Sequence, residues 1–345
     1  MTEGIATPGA GWRRADGPGS QKRAKRRRKG GRGRSAEIAM VEEAEFTSYY
    51  GRPIIKPPVW KTPDVPLYLF LGGAAGTSSV LGAIADLSGR PALTRVARLT
   101  AGGGALASVV FLVHDLGRPA RFLHMLRVFK PTSPLSVGTY ILSPFSAATA
   151  ATAAVELLGW FPRLKRFGGI VAALFGGPMA TYTAVLLANT AVPSWHEFHE
   201  RLPFVFAGSA MAAGGGICMV FTPLSEAEPA RKMAMIGAGI ELTAIRGMEH
   251  SESIVSEPYH LGRAGKLMNA AKMCTTSGLA LAMLGGRTRA GAVASGTLLA
   301  AGSLLTRFGV FDAGMASARD PKYTVIPQRE RMAARQNGHA STVTH

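Results

Sequence analysis

Between residues 66 and 310 the sequence contains eight long apolar runs that follow one another with short connectors. A bilayer core about 30 Å thick needs about 20 apolar residues in a helix, which is the approximate length of each run. Charged residues make up 17% of the chain, against about 25% in soluble domains. The runs therefore exclude a soluble globule and predict an all-α integral membrane protein with eight transmembrane helices. They cover residues 66–87, 93–114, 137–160, 168–191, 203–223, 231–250, 266–284 and 290–310.

Glycine is frequent inside these runs, as at Gly72 and Gly76. In water, glycine weakens a helix, whereas between membrane helices small residues let the backbones approach closely. The glycines therefore predict a packed bundle rather than a set of separate anchors.

The two ends of the chain differ in composition from the apolar region. Residues 1–35 hold 11 basic residues against two acidic ones and have no apolar period. We therefore predict a basic, largely disordered tail over 1–62, a membrane domain over 63–310 and a polar tail over 311–345. The net charge of +18 favours contact with anionic lipid headgroups, and we predict no nucleic-acid partner.

The orientation follows from the same charges. An even number of spans places both termini on one side, and the positive-inside rule places such basic tails in the cytoplasm. The loops between the runs do not discriminate, because basic residues occur on both sides. We predict a multi-pass protein of the cell (inner) membrane with cytoplasmic termini.

Residues that could hold a metal or a haem are scarce. Cys218 and Cys274, the only cysteines, lie in apolar runs and form no CxxC pair, which argues against an iron–sulfur cluster or a zinc site. A haem would need facing histidines, but His114 and His250 lie at the ends of runs. We predict no haem and no metal on this chain.

The sixth run contains the densest set of ionisable residues. Ionisable groups at membrane depth are costly, so they should face the bundle interior and find partners. Glu241 and Glu249 share one helical face, and Arg246 can reach both Glu249 and His250. Two interpretations stay open: a proton or substrate path, or an internal salt bridge that locks helix packing.

Other polar side chains lie at the start of the first run, in the fourth run and after the second run. Asp64 and Tyr68 are four residues apart, and Tyr68 alone would suit an interfacial aromatic belt. Tyr182 lies deeper, where a phenol needs a hydrogen-bond partner. The second run ends at Gly117. The loop that follows can form a short interfacial helix over 119–128 and contains many polar residues. These include His114, Asp115, Arg118 and Arg121.

Several of these stretches, in this order, resemble the polysulfide reductase membrane subunit family (NrfD/PsrC type). The likeness runs over about residues 60–225 and continues more weakly to about 310. The matching stretches are 66–73 (PLYLFLGG), 115–119 (DLGRP) with Arg121-Phe122, 131–134 (PTSP) with Gly138, 182–187 (YTAVLL), 190–195 (TAVPSW) and Leu202-Pro203.

The resemblance implies an eight-helix, quinone-reactive subunit built as two four-helix bundles, without haem or metal of its own. Such a subunit docks an iron–sulfur protein, which passes electrons to or from a molybdopterin-type catalytic subunit. The terminal substrate chemistry then lies on another chain, and the ligand expected here is a quinone, either menaquinone or ubiquinone.

The resemblance also implies roles for individual residues. The quinone ring would be held by Asp64 and Tyr68 at the start of the first helix and by Tyr182 in the fourth. Here a carboxylate and a phenol stand where the best-described family member has an amide and an imidazole. His114, Asp115, Arg118 and Arg121 would then dock the partner or shape the mouth of the site, and Glu241, Arg246, Glu249 and His250 become candidates for carrying protons.

A secondary transporter without redox chemistry is the alternative from another functional class. Spans interrupted by glycine and proline, together with buried charges, suit that interpretation as well. A strong internal symmetry between residues 66–191 and 203–310 would favour it, and none is visible in the sequence.

Overall fold

The computed structural model describes residues 53–118, 120–159, 161–251 and 253–336. Within these residues the regular structure is entirely helical, which confirms the all-α prediction. Residues 1–52 of the predicted basic tail and residues 337–345 of the predicted C-terminal tail lie outside the described residues.

Eight long helices correspond to the eight predicted runs, and short helices lie between or after them. The α-helices are α1 (Asp64–Leu87), α2 (Pro91–Leu116), α3 (Ala120–Met125), α4 (Pro134–Leu158), α5 (Pro162–Ala188), α6 (Pro193–His196), α7 (Leu202–Phe221), α8 (Glu228–Glu249), α9 (Gly262–Leu284), α10 (Arg289–Arg319) and α11 (Lys322–Gln336). A 3₁₀ helix covers Ile254–Tyr259.

Six of the long helices are long and apolar enough to cross a membrane: α1, α2, α4, α5, α7 and α10. The other two, α8 and α9, contain six and three charged residues and do not reach that apolar composition. The structure therefore supports six of the eight predicted spans by length and composition.

Local sequence explains where several helices begin and end. Pro91 and Pro134 are the first residues of α2 and α4, a position where a missing N–H costs nothing. The same helices end at Gly117 and Gly159, whose φ angles of 69° and 71° are left-handed and favour glycine. The α10 helix continues past residue 310 to Arg319, so part of the predicted polar tail is helical.

The long helices pack in two groups of four. In the first group α1 contacts α2 and α5, and α4 contacts the same two helices. In the second group α7 contacts α8 and α10, and α9 contacts the same two helices. The groups meet mainly where α1 contacts α7 and α10, and where α5 contacts α7.

Glycine allows the closest helix contacts, as the sequence predicts. A Cβ atom added to Gly76 would lie 2.5 Å from the carbonyl oxygen of Gly176, which joins α1 to α5. In the second group, a Cβ added to Gly216 would lie 2.7 Å from the carbonyl oxygen of Gly296. Both distances are too short for any side chain, so these helices pack backbone to backbone.

Successive long helices run in opposite directions, which gives the bundle two different ends. The Asp64 end, where α1 begins, holds α3, α6, the 3₁₀ helix and α11. The Leu87 end, where α1 finishes, holds only short connectors among the described residues. The candidate quinone and docking residues near α1 and α2 therefore all lie at the Asp64 end.

Candidate functional site

Asp64 and His114 form a hydrogen bond that joins the start of α1 to the end of α2. Asp64 is buried, and its Oδ2 atom lies 2.7 Å from Nδ1 of His114. The side chain of His114 is 72% exposed. The pair therefore links a buried carboxylate to the surface of the Asp64 end.

Asp115 fixes the segment that leads into α1. Its Oδ1 atom accepts a hydrogen bond of 2.8 Å from the backbone N–H of Lys61. Its neighbours along the loop, Arg118 and Arg121, are exposed, and Arg121 donates to the carbonyl oxygen of Leu116 at 3.2 Å. The loop residues thus define the surface of the Asp64 end beside the start of α1.

A cavity of about 100 Å³, the Tyr68 cavity, lies between α1, α2, α4 and α5. Its polar lining comes from Tyr68 and Asp115, and leucine side chains such as Leu112, Leu186 and Leu187 supply apolar walls. The Tyr68 hydroxyl makes no hydrogen bond to any described residue. A phenol and a carboxylate on apolar walls suit a quinone ring, whose oxygens need hydrogen-bond partners.

The size of the Tyr68 cavity limits what it can hold. A cavity that holds a single benzene ring measures roughly 150 Å³, which is more than the about 100 Å³ found here. The lining residues therefore fit a quinone ring in their chemistry, but the cavity must widen to receive one.

Tyr182 belongs to the same buried hydrophobic cluster as Tyr68 but does not line the Tyr68 cavity. Its ring packs against Gly138 of α4, where an added Cβ would lie 2.3 Å from Cε2 of the ring. Leu186 and Leu187, about one turn further along α5, reach the cavity. The structure thus brings Tyr68 and Asp115 together and places Tyr182 deeper, beside them.

A second polar group is buried where α7, α8 and α10 meet. Glu241 is fully buried, and its Oε1 atom accepts a hydrogen bond of 2.7 Å from the Thr306 hydroxyl. Arg307, also fully buried, stacks 3.7 Å above the centre of the Phe206 ring and donates to the Phe206 carbonyl oxygen at 2.8 Å. The two charges interact electrostatically, so each compensates the other.

Sequence reasoning missed Arg307 as the charge facing Glu241. The signal was available, because an arginine inside an apolar run has to find a partner within the bundle. What the sequence lacked was the direction of its side chain, which only the packing of α10 on α7 and α8 provides.

The remaining candidates of the sixth run have partners other than Arg307 and Thr306. Glu249 pairs with Lys272 of α9 at 2.6 Å, in place of the pair with Arg246 that the sequence suggested. Nδ1 of His250 lies 2.8 Å from the Arg246 carbonyl oxygen, and both of these side chains are exposed. Glu241 and Glu249 therefore contact different neighbours, and the structure does not join them into one continuous proton path.

A third charged group, near the Leu87 end, also went unrecognised. Arg98 of α2 is buried and contacts Asp86 at 3.3 Å and Glu156 at 3.1 Å. Lys165 reaches Glu156 at 3.2 Å from the outer side. Both acids lie near helix ends, and the structure gives them a shared buried cation.

Metal-binding groups are not apparent in the described part of the chain. No three histidine, cysteine, aspartate or glutamate side chains among these residues are grouped so as to hold a metal ion.

The sequence profile of the family described as polysulphide reductase, NrfD, matches residues 54–236, which is 183 of the 345 residues. The chain belongs to the NrfD family. Its members are membrane subunits of quinone-linked oxidoreductases, so the resemblance drawn from the motifs is confirmed at that level. The match includes Tyr68, Asp115 and Tyr182 and ends within α8, before Glu241. No curated protein sequence matches the chain.

Proposed function

We propose that this NrfD-family chain is the quinone-reactive membrane subunit of a multi-subunit oxidoreductase. It would exchange electrons with an iron–sulfur partner and, through that partner, with a molybdopterin-type catalytic subunit. The main observation behind the proposal is that Tyr68 and Asp115 line the same cavity, whose other walls are apolar. Both residues lie inside the part of the chain that matches the family.

The bound quinone would supply two-electron chemistry coupled to two protons, so its ring oxygens need partners that donate and accept protons. The Tyr68 phenol can donate to one ring oxygen from inside the cavity. The Asp64–His114 hydrogen bond connects the buried start of α1 with an exposed imidazole. Carboxyl and imidazole groups can both take up and release a proton, so this pair is suited to exchange protons between the site and the aqueous surface.

Tyr182 is proposed as a further quinone-binding side chain, by its match to the family pattern. Its ring is buried against Gly138, and Leu186 and Leu187 of the same helix line the Tyr68 cavity. Widening the cavity towards α5 would therefore bring the quinone ring against Tyr182.

The Asp64 end is the proposed docking face for the iron–sulfur partner. Electrons can then pass over a short distance between that partner and the Tyr68 cavity, and Arg118 and Arg121 are exposed beside it. We further propose that all eight long helices span the cell membrane, that residues 1–62 contact lipid headgroups, and that both termini are cytoplasmic.

The experiment uses the assembled complex with Tyr182→Phe, which removes one hydroxyl and keeps the ring. Quinone-dependent turnover should fall about tenfold, equivalent to a hydrogen bond of about 1.4 kcal/mol lost at the ring oxygen. Electron exchange between a soluble dye and the catalytic subunit should stay unchanged, because that path avoids the quinone. Thr181→Ser, at the partly exposed neighbouring residue, is the matched control.

Full quinone-dependent turnover in Tyr182→Phe would contradict the assigned site. The purified subunit should also retain an extractable quinone. Solute accumulation by liposomes that contain this chain alone, with no quinone bound, would support the transporter instead.

A further inference from the structure

A larger cavity, of about 520 Å³, lies at the Asp64 end of the second helix group. We call it the Arg319 cavity. It is enclosed by the segment before α1, the 3₁₀ helix, the start of α9, the end of α10 and α11. Trp60, Phe311 and Tyr323 supply aromatic rings to its wall.

The polar wall of the Arg319 cavity combines two cations with one carboxylate. Nε of Arg263 lies 3.2 Å from Oδ2 of Asp312, whose side chain is mostly buried. The guanidinium of Arg319 also acts electrostatically on Asp312. Guanidinium groups only donate hydrogen bonds and a carboxylate only accepts them, so the wall presents both functions side by side.

The α11 helix holds the aromatic wall in place. Lys322 pairs with Glu257 of the 3₁₀ helix at 2.8 Å, and the Tyr323 hydroxyl bonds the same carboxylate at 3.1 Å. The hydrogen bond from Lys322 lowers the pKa of Glu257, and the same bond raises the pKa of Lys322 to about 12. Both groups therefore remain charged near neutral pH, and the Tyr323 ring stays against the cavity.

Trp60 lines both the Arg319 cavity and the Tyr68 cavity. Its ring stacks on the buried ring of Trp195, with 5.7 Å between the ring centres. The two cavities are therefore neighbours. Only the Arg319 cavity, of the two, has the roughly 300–1,000 Å³ usual for a small-molecule site.

We propose that the Arg319 cavity binds the ring of an isoprenoid quinone, as a second position next to the Tyr68 cavity. The inference rests on the proposed function and concerns binding, with no electron transfer assigned to this position. Trp60 and Phe311 offer flat apolar contact to the ring, while Arg263 and Arg319 offer donors to its carbonyl oxygens. Leu261, half exposed at the start of α9, provides an apolar edge for the isoprenoid tail.

An anionic phospholipid headgroup is the competing occupant, because two guanidiniums attract phosphate. Asp312 argues against it, since its carboxylate lies on the same wall and would repel a phosphate group. A neutral quinone ring meets no such repulsion. The mixture of aromatic, cationic and acidic groups therefore favours the neutral ring.

The test uses a photoreactive azidoquinone and the full chain in nanodiscs of zwitterionic lipid, with labelled peptides mapped by mass spectrometry. Label should appear on the peptide around Phe311–Ala316 and also on peptides of the Tyr68 cavity. Ala316→Trp fills the Arg319 cavity from an exposed position and should reduce label on the α10 peptide to background, while label at the Tyr68 cavity persists. Ala301→Trp, exposed on the same helix away from the cavity, should change neither.

Four results would overturn the inference. Label confined to the Tyr68 cavity would remove the second position and leave the proposed function standing, whereas no label in either region would remove both. Label near Phe311 that survives Ala316→Trp would show binding elsewhere on the surface. Displacement of that label by phosphatidylglycerol, but not by unlabelled quinone, would assign the Arg319 cavity to a lipid headgroup. Equal melting temperatures of the variants control for folding.

Discussion

Tyr182 owes its position to the absence of a side chain on Gly138. The α4 backbone comes so close to the ring that an added Cβ would lie 2.3 Å from Cε2 and 2.8 Å from Cδ2. Packed interiors respond to even one extra methyl group, because the neighbours cannot move independently. The Tyr182 ring therefore occupies space that is free only because residue 138 is a glycine.

Gly138→Ala should displace the Tyr182 ring and weaken the quinone site without touching any polar group. We expect a loss of quinone-dependent turnover similar to that of Tyr182→Phe, and a loss of stability of about 1–3 kcal/mol from overpacking. Both are measurable on the purified complex, by turnover and by thermal unfolding. Gly177→Ala is the control, because its Cβ meets nothing within 4 Å on the same helix as Tyr182. Unchanged turnover in Gly138→Ala would show that the ring position does not matter.

At the scale of whole helices, the buried charges of Glu241 and Arg307 hold α8, α7 and α10 together. Thr306 and Phe206 give these charges one hydrogen bond each, while Oε2 of Glu241 and two nitrogens of Arg307 have no partner among the described residues. A charge in a medium of low polarity is costly unless an opposite charge compensates it. Each of these two charges therefore lowers the free-energy cost of burying the other.

Glu241→Gln should leave the Arg307 charge uncompensated and lower the unfolding free energy by about 3 kcal/mol. Arg307→Met should have a similar effect, and the double variant should lose less than the sum of the two. Thermal unfolding in one detergent would measure this coupling. Glu228→Gln, at an exposed carboxylate, should change stability little.

The same Glu241→Gln variant separates the two interpretations of the buried charges. Turnover and proton movement that both persist would assign Glu241 to packing alone. Proton movement that stops while the protein stays folded would assign it to a proton path.

At the scale of the whole molecule, the open question is how many times the chain crosses the bilayer. The α8 and α9 helices contain 22 and 23 residues, so they are about 33 and 35 Å long, enough to span the hydrocarbon core. Only their more polar composition separates α8 and α9 from the six apolar helices. Of their charged residues, Glu241 is buried and Glu249 pairs with Lys272. Compensated charges of this kind are compatible with a membrane span.

Eight spans predict that the connection between α8 and α9 lies on the same side as the connection between α2 and α4. In a variant with Cys218 and Cys274 replaced by alanine, His260→Cys should react with an impermeant maleimide from the same side as Thr132→Cys. Ser225→Cys, between α7 and α8, should react from the opposite side. All three positions are exposed, so reactivity reports the side of the membrane. Reaction of His260→Cys together with Ser225→Cys would mean that α8 does not cross.

The helices and the family can be predicted from the sequence. The lengths of the apolar runs follow from the thickness of the bilayer, and proline and glycine mark helix ends through their own backbone geometry, as at Pro134 and Gly159. The motifs before α8 identify the NrfD family because they are local strings of residues. The candidate residues at the start of α1 and the end of α2 were found for the same reason.

The contacts between polar groups, in contrast, depend on the packing of the helices. Glu249 bonds Lys272 instead of Arg246, Arg98 joins Asp86 to Glu156, and Arg307 compensates Glu241. These partners lie on different helices, so their contacts depend on how each helix is rotated and which neighbour it packs against. Periodicity along one helix carries no information about that rotation relative to another helix. The Arg319 cavity arises in the same way, because it exists only where five segments from distant parts of the chain come together.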